Sequence, residues 1–147
     1  MLSKLTFLIA ISLILNFRIF CQDIKNASWN SRCFQRSDSI FRIDITAHLK
    51  EFLHIYSIEC IQKVLNCTKI EYLDSTNCNV NRIIESGVAY HDKDYKELKL
   101  YEGFVVYSIE LSKTNPLKPS SIKLNMLYQV CNDHACRRFN KVFFEIF

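Results

Sequence analysis

The chain has 147 residues, a formal net charge of +4, seven cysteines, and only two glycines and two prolines. That length suits one domain around one core, and so small a charge excess gives no reason to invoke nucleic acid or an anionic membrane. Residues 5–15 form an apolar run preceded by Lys4 and followed by Arg18. The run is shorter than the roughly 20 residues a membrane span needs, and it fits the core of an export signal.

The expectation is a signal peptide over residues 1–21, cut after Cys21, with Ile19 and Cys21 at the −3 and −1 positions. A lipid anchor on Cys21 would need a small residue before it, and Phe20 is not small. Loss of Lys4 and Arg18 takes the 19 basic residues to 17 against 15 acidic ones, and leaves six cysteines. A single domain over residues 22–147 follows, periplasmic or secreted, monomeric, with no membrane span. Asn26-Ala27-Ser28 and Asn66-Cys67-Thr68 match glycosylation sequons, which carry meaning only in a host that glycosylates them.

Residues 28–39 read as polar and irregular. Residues 41–49 alternate, with Phe41, Ile43, Ile45, Ala47 and Leu49 inward. Residues 52–58 and 68–73 read as further strands, and 82–88 as a short one. Residues 104–111 are a strong strand, with Val105, Tyr107, Ile109 and Leu111 on one side. Asn115-Pro116-Leu117-Lys118-Pro119 is a turn, because proline cannot donate to a ladder. Short strands between polar turns, without a helical period, indicate an all-β sandwich. Residues 90–101 are the least strand-like after the leader.

Residues 122–130 alternate again, with Ile122, Leu124, Met126, Tyr128 and Val130 on one face. They run into Cys131-Asn132-Asp133-His134-Ala135-Cys136 and a second, aromatic-rich run over residues 139–147. Two strands around a loop of Asn, Asp, His and Ala make a hairpin. With Cys131 opposite Cys136, the Cβ atoms stand about 4.5–5.5 Å apart, close to disulfide distance. Cys131 shares a face with Gln129, Asn125 and Lys123, the more polar face, which marks it as a reachable thiol. Val142, Phe144 and Ile146 share the Cys136 face, so the closing strand reads as buried on both sides at its end, or bulged.

Six cysteines in an exported chain would ordinarily be staples. A ring of about six residues restricts the unfolded chain by only about 2 kcal/mol, whereas a bridge from Cys33 or Cys60 to Cys78 would contribute about 3–4 kcal/mol. The tight pair is the poorest staple available, and its spacing is better explained by exchange. Cys131, Asp133, His134 and Cys136 cannot all point at one ion from a tight hairpin, so the sequence calls for no metal, and nothing in it calls for a cofactor. His134, if protonated near either sulfur, would favour the thiolate. The competing reading is a non-catalytic, disulfide-stapled binding module of immunoglobulin type.

The hairpin Tyr128-Gln129-Val130-Cys131-Asn132-Asp133-x-x-Cys136, with Phe143 or Phe144 beyond it, resembles the N-terminal periplasmic domain of DsbD-type thiol–disulfide interchange reductases. So, in order, do Leu53-His54-Ile55-Tyr56-Ser57, Thr68-Lys69-Ile70-Glu71-Tyr72 and Leu100-Tyr101-Glu102-Gly103, so that the likeness runs from about residue 40 to residue 147. It implies an immunoglobulin-like sandwich that relays electrons from a thioredoxin-like donor to periplasmic disulfide proteins. Any enzyme activity would be that of a thiol:disulfide oxidoreductase. By the same likeness Cys131 and Cys136 are the catalytic pair, Cys136 forms the mixed disulfide, and Tyr95 with Asp92 and Asp94 caps the pair. Tyr56 matches an aromatic near the active site, while His54 stands where an aromatic is often seen. Arg137-Arg138 replaces a proline common after the second cysteine. Cys33, Cys60, Cys67 and Cys78 are not family features, and the expectation for them is two structural bridges of open connectivity.

Overall fold

A computed structural model describes residues 27–59, 67–94, 96 and 98–147. The leader expected over residues 1–21 lies outside the described residues. The described residues form eight strands: β1 (Ala27–Gln35), β2 (Ile40–Leu49), β3 (His54–Tyr56), β4 (Lys69–Thr76), β5 (Cys78–His91), β6 (Lys99–Lys113), β7 (Ser121–Cys131) and β8 (Cys136–Ile146). Every pairing is antiparallel.

The strands make one curled sheet with two walls. One wall runs β1-β2-β6-β5 and the other β4-β7-β8, and β3 pairs with β6 on one side and β7 on the other. The alternating residues of β2, β6 and β7 fill the space between the walls. Ile43, Ile45, Val105, Tyr107, Ile109, Leu111, Leu124, Met126 and Val130 are all fully buried there. Trp29 of β1 closes the open side, 4.6 Å from the ring of Tyr128 and 6.1 Å from that of Phe143. This is the all-β, immunoglobulin-like sandwich expected from the strand spacing and the family likeness.

Four details differ from the sequence reading, each for a local reason. Residues 27–35 are a strand, not irregular coil. Its inward positions include the small Ser31 and half-buried Cys33, which hide the period of an edge strand. The strand expected over residues 52–58 shrinks to three residues, because Phe52 takes φ 65° in a turn closed by Leu53 N–H donating to Lys50 C=O at 3.2 Å. The short strand expected over 82–88 is 14 residues long. Register shifts between Val80 and Arg82 and between Gly87 and Ala89 break its alternation.

The closing strand is neither buried on both sides nor bulged. Its ladder with β7 is regular from Cys131 opposite Cys136 to Ser121 opposite Ile146, and Val142, Phe144 and Ile146 are exposed on its outer face.

The crossing from β4 to β5 rests on Asn77, held at φ 55°. Its side-chain amide donates to Asn115 C=O at 2.8 Å and Ser120 Oγ at 3.1 Å. Its Oδ1 accepts from Thr114 Oγ1 at 2.6 Å and Asn115 N–H at 2.7 Å, tying the turn before β7 to the other wall. Asn77→Ala loses these bonds and a residue tolerant of left-handed backbone, and is expected to cost about 2–3 kcal/mol in urea unfolding. Asn77→Gly keeps the backbone freedom and should cost less.

Candidate functional site

The site is built on the β7–β8 hairpin. Asn132 N–H donates to Ala135 C=O at 2.9 Å, closing a four-residue turn. Asn132 Oδ1 accepts from the backbone N–H groups of His134 at 2.9 Å and Ala135 at 2.8 Å, so the asparagine side chain shapes the turn from inside. The next pair outward, Cys131 opposite Cys136, is a non-hydrogen-bonded pair, the closer of the two antiparallel kinds. Its Cα atoms are 4.1 Å apart and the two sulfurs are joined.

The two cysteines differ in exposure. Cys131 is 1% exposed, whereas Cys136 is open to solvent. The expectation that Cys131 sits on a reachable polar face is therefore corrected. The face is polar along most of β7, but at its end Cys131 joins a second small apolar cluster with Tyr56, Leu98 and Leu100. Those residues come from β3, from the loop after β5 and from the start of β6.

That loop is the stretch singled out as a cap. Asp92 N–H donates to Leu98 C=O at 2.9 Å, closing the loop at its base. Asp92 Oδ1 accepts from Asp94 N–H at 2.9 Å, and Asp92 Oδ2 accepts from the Tyr56 hydroxyl at 2.9 Å. Asp92 thus fastens the loop to the tyrosine that packs beside Cys131. Tyr95, the residue expected to shield the pair, lies outside the described residues. Leu98 and Leu100 carry the apolar contact, and neither was read from the sequence as part of the site. The signal available was their place at the end of an acidic loop, two residues apart.

Burial and the bond to Asp92 push the Tyr56 phenol up to about 12. His54 stacks edge-on against Tyr56 with ring centroids 5.4 Å apart, and burial holds its imidazole below the ordinary histidine range. His134 is exposed, with its backbone engaged in the turn. Among the described residues no group of three His, Cys, Asp or Glu side chains could hold a metal ion.

The four remaining cysteines do not form the two expected bridges. Cys33 and Cys78 are free thiols, and burial pushes both upward. They lie on β1 and β5, the two edges of one wall, with β2 and β6 between them. Three strand spacings of about 4.8 Å exceed the reach of a disulfide. Cys67 is disulfide-bonded, and Cys60 lies outside the described residues.

The N-terminal periplasmic domain of ScsB from Proteus mirabilis matches this structure with a TM-score of 0.56 and 15% sequence identity. The chain has the fold of that domain. The match covers 82% of this chain and 46% of the ScsB chain, so the present chain spans less than half the length of that structure. The N-terminal domain of DsbD from Neisseria meningitidis in its reduced form has a TM-score of 0.49 and 14% identity, covering 78% of this chain and 82% of its own. The GAE domain of yeast GGA1 also stands at 0.49, with 9% identity over 82% of this chain and 92% of its own. No family model matches the sequence, and no curated protein matches it either.

Two outcomes test this geometry. In the reduced protein, iodoacetamide should label Cys136 well ahead of Cys131, read by peptide mass spectrometry. Asp92→Asn should bring the Tyr56 phenol down from about 12, read by phenolate absorbance against a Tyr56→Phe control. Because the folded phenol sits above its unfolded value of about 10, its contribution to stability is complete below pH 10 and lost as pH rises through about 12.

Proposed function

We propose that this chain is an exported thiol–disulfide interchange domain of DsbD type, exchanging electrons through Cys131 and Cys136. The observation that carries the reading is the unequal exposure of a directly opposed cysteine pair. An incoming thiolate can reach only the outer sulfur, and the inner one is held beside it to leave or to return. Cys136 is then the residue that forms the mixed disulfide, and Cys131 the one that resolves it. The likeness to a periplasmic domain supports export through a leader over residues 1–21, and a periplasmic or secreted location.

The donor on this reading is a thioredoxin-like dithiol protein, and the acceptors are disulfide-bearing proteins of the same compartment. Tyr56, Asp92 and Asp94 hold the loop beside the pair. Cys67 belongs to a structural bridge. The ring closed by the pair is short and lies at the tip of a regular ladder, so its opening leaves every strand in place.

A mild reductant should therefore open Cys131–Cys136 with the fold intact by circular dichroism. The double substitution Cys131→Ser, Cys136→Ser should cost no more than about 2 kcal/mol against the oxidised form. Cys131→Ser alone should trap a mixed disulfide at Cys136, identified by peptide mapping, with a thioredoxin-like protein or its client. A pair that resists reduction until the chain unfolds, with no adduct trapped at Cys136, makes the bridge a staple and the domain a binding module.

A further inference from the structure

The strand registers set four side chains of matched chemistry in one line. Glu102 of β6 stands opposite His54 of β3, and His54 stands opposite Cys131 of β7. Cys131 stands opposite Cys136 of β8. Directly opposed residues of antiparallel strands share a face, with Cβ atoms about 4.5–5.5 Å apart. A carboxylate, an imidazole and two sulfurs therefore form a row across four neighbouring strands. The adjacent row of Tyr101, Ile55 and Val130 points the other way and is fully buried in the core, which fixes the facing of the first.

We propose that His54 passes the proton to and from the Cys131 sulfur during exchange, with Glu102 supporting the imidazolium form. The proposal rests on the interchange reading and adds to it a residue and a proton path. The need arises from burial. Cys131 is enclosed by Tyr56, Leu98 and Leu100, where a thiolate is poorly solvated and a proton has no direct route from water.

The exchange balances as follows. A partner thiolate attacks Cys136 Sγ, the partner–Cys136 S–S bond forms, and the Cys131–Cys136 bond breaks with its electron pair leaving on Cys131. His54 takes up a proton from solvent as that charge develops and passes it to the thiolate, leaving a neutral thiol. In the reverse step neutral His54 takes the thiol proton, Cys131 attacks Cys136 Sγ, and the partner sulfur departs as thiolate. To complete an exchange, the partner's second thiolate attacks its first sulfur and the partner disulfide forms. The partner–Cys136 bond breaks, with Cys136 leaving as a thiolate that takes a proton from water. A partner dithiol has then become a disulfide and the pair a dithiol, or the converse, and no other oxidant or reductant is consumed.

The surroundings of His54 suit a base. The groups facing it are Glu102 from β6, Asp92 from the loop after β5, Asp133 from the hairpin turn, Cys131 from β7 and the ring of Tyr56. Burial outweighs the three carboxylates, so the imidazole is neutral near neutral pH, the form that accepts a proton. The same carboxylates steady the cation once the proton arrives, the division of labour seen wherever a carboxylate backs an imidazole beside a nucleophile.

The test follows one covalent species in the full chain. The protein is reduced, mixed with oxidised glutathione and quenched in acid over a range of pH. Peptides carrying Cys136 are then followed by mass spectrometry as the glutathione adduct forms and resolves onto Cys131. His54→Gln should slow resolution roughly 100-fold or more near neutral pH, and its rate should climb with hydroxide instead of following a histidine titration. His54→Phe keeps a ring against Tyr56 without the nitrogen and should be equally slow. Glu102→Gln, at an exposed position, should lower the apparent pKa of resolution, since the carboxylate raises that of His54.

If both His54 variants resolve with the wild-type rate and pH profile, His54 only packs, and the proposal falls while interchange stands. If no variant, wild type included, takes up glutathione at Cys136, the interchange reading fails and takes the proposal with it.

Discussion

Two residues of β3, His54 and Ile55, pair with two strands at once, and the rest of the molecule depends on that double pairing. β3 bonds to β6 on one edge and to β7 on the other, so it is the seam where two walls become one sheet. Its middle residue, Ile55, points into the main core and is fully buried. Its outer residues point the opposite way, toward the cysteine hairpin and the loop fastened by Asp92. A single period-two strand thus serves two environments, stability on one face and a site on the other. Without the seam, Cys131 would end β7 as an exposed residue, and the loop after β5 would have no tyrosine to anchor it.

Legibility in the sequence follows the quality of the alternation. The strands at the centre of the walls, β2, β6 and β7, show clean apolar periods because their inner faces are wholly buried. Their inward residues, from Phe41 to Val130, were readable as such. Edge strands were not. β1 presents Trp29, Ser31 and Cys33 inward, and a strand covered on one side only can place small or polar residues where a central strand cannot. β5 loses its phase at two bulges, so only its middle reads as strand. β8 has apolar residues on both faces, but burial reaches only one of them, because none of the described residues forms a second layer over the outer face.

The site was legible as a spacing and illegible as an environment. Two cysteines around a turn of Asn, Asp, His and Ala could be paired from sequence alone, since hairpin register is local. Which of them is buried could not, because the cover on Cys131 comes from Leu98 and Leu100, more than thirty residues upstream, and from Tyr56 further still. The same distance hides the line from Glu102 through His54 to the sulfurs, which exists only in the pairing of β3 with both neighbours. The expectation of two bridges among Cys33, Cys60, Cys67 and Cys78 failed for the converse reason. Cysteine counting sees an even number, and topology puts these two at opposite edges of a wall.

The 4.1 Å separation of the cysteine Cα atoms has a kinetic side. Any sulfur that adds to Cys136 finds the second thiol already in place, held by a ladder that does not relax when the bond opens. Groups fixed in this way react as though present at an effective concentration of up to about 10⁵ M or more. A covalent adduct at Cys136 is therefore short-lived by construction, whatever the strength of the surrounding contacts. On the interchange reading, release is then written into the backbone register itself, and a visiting protein would need only a brief, weak encounter to leave with its sulfurs exchanged.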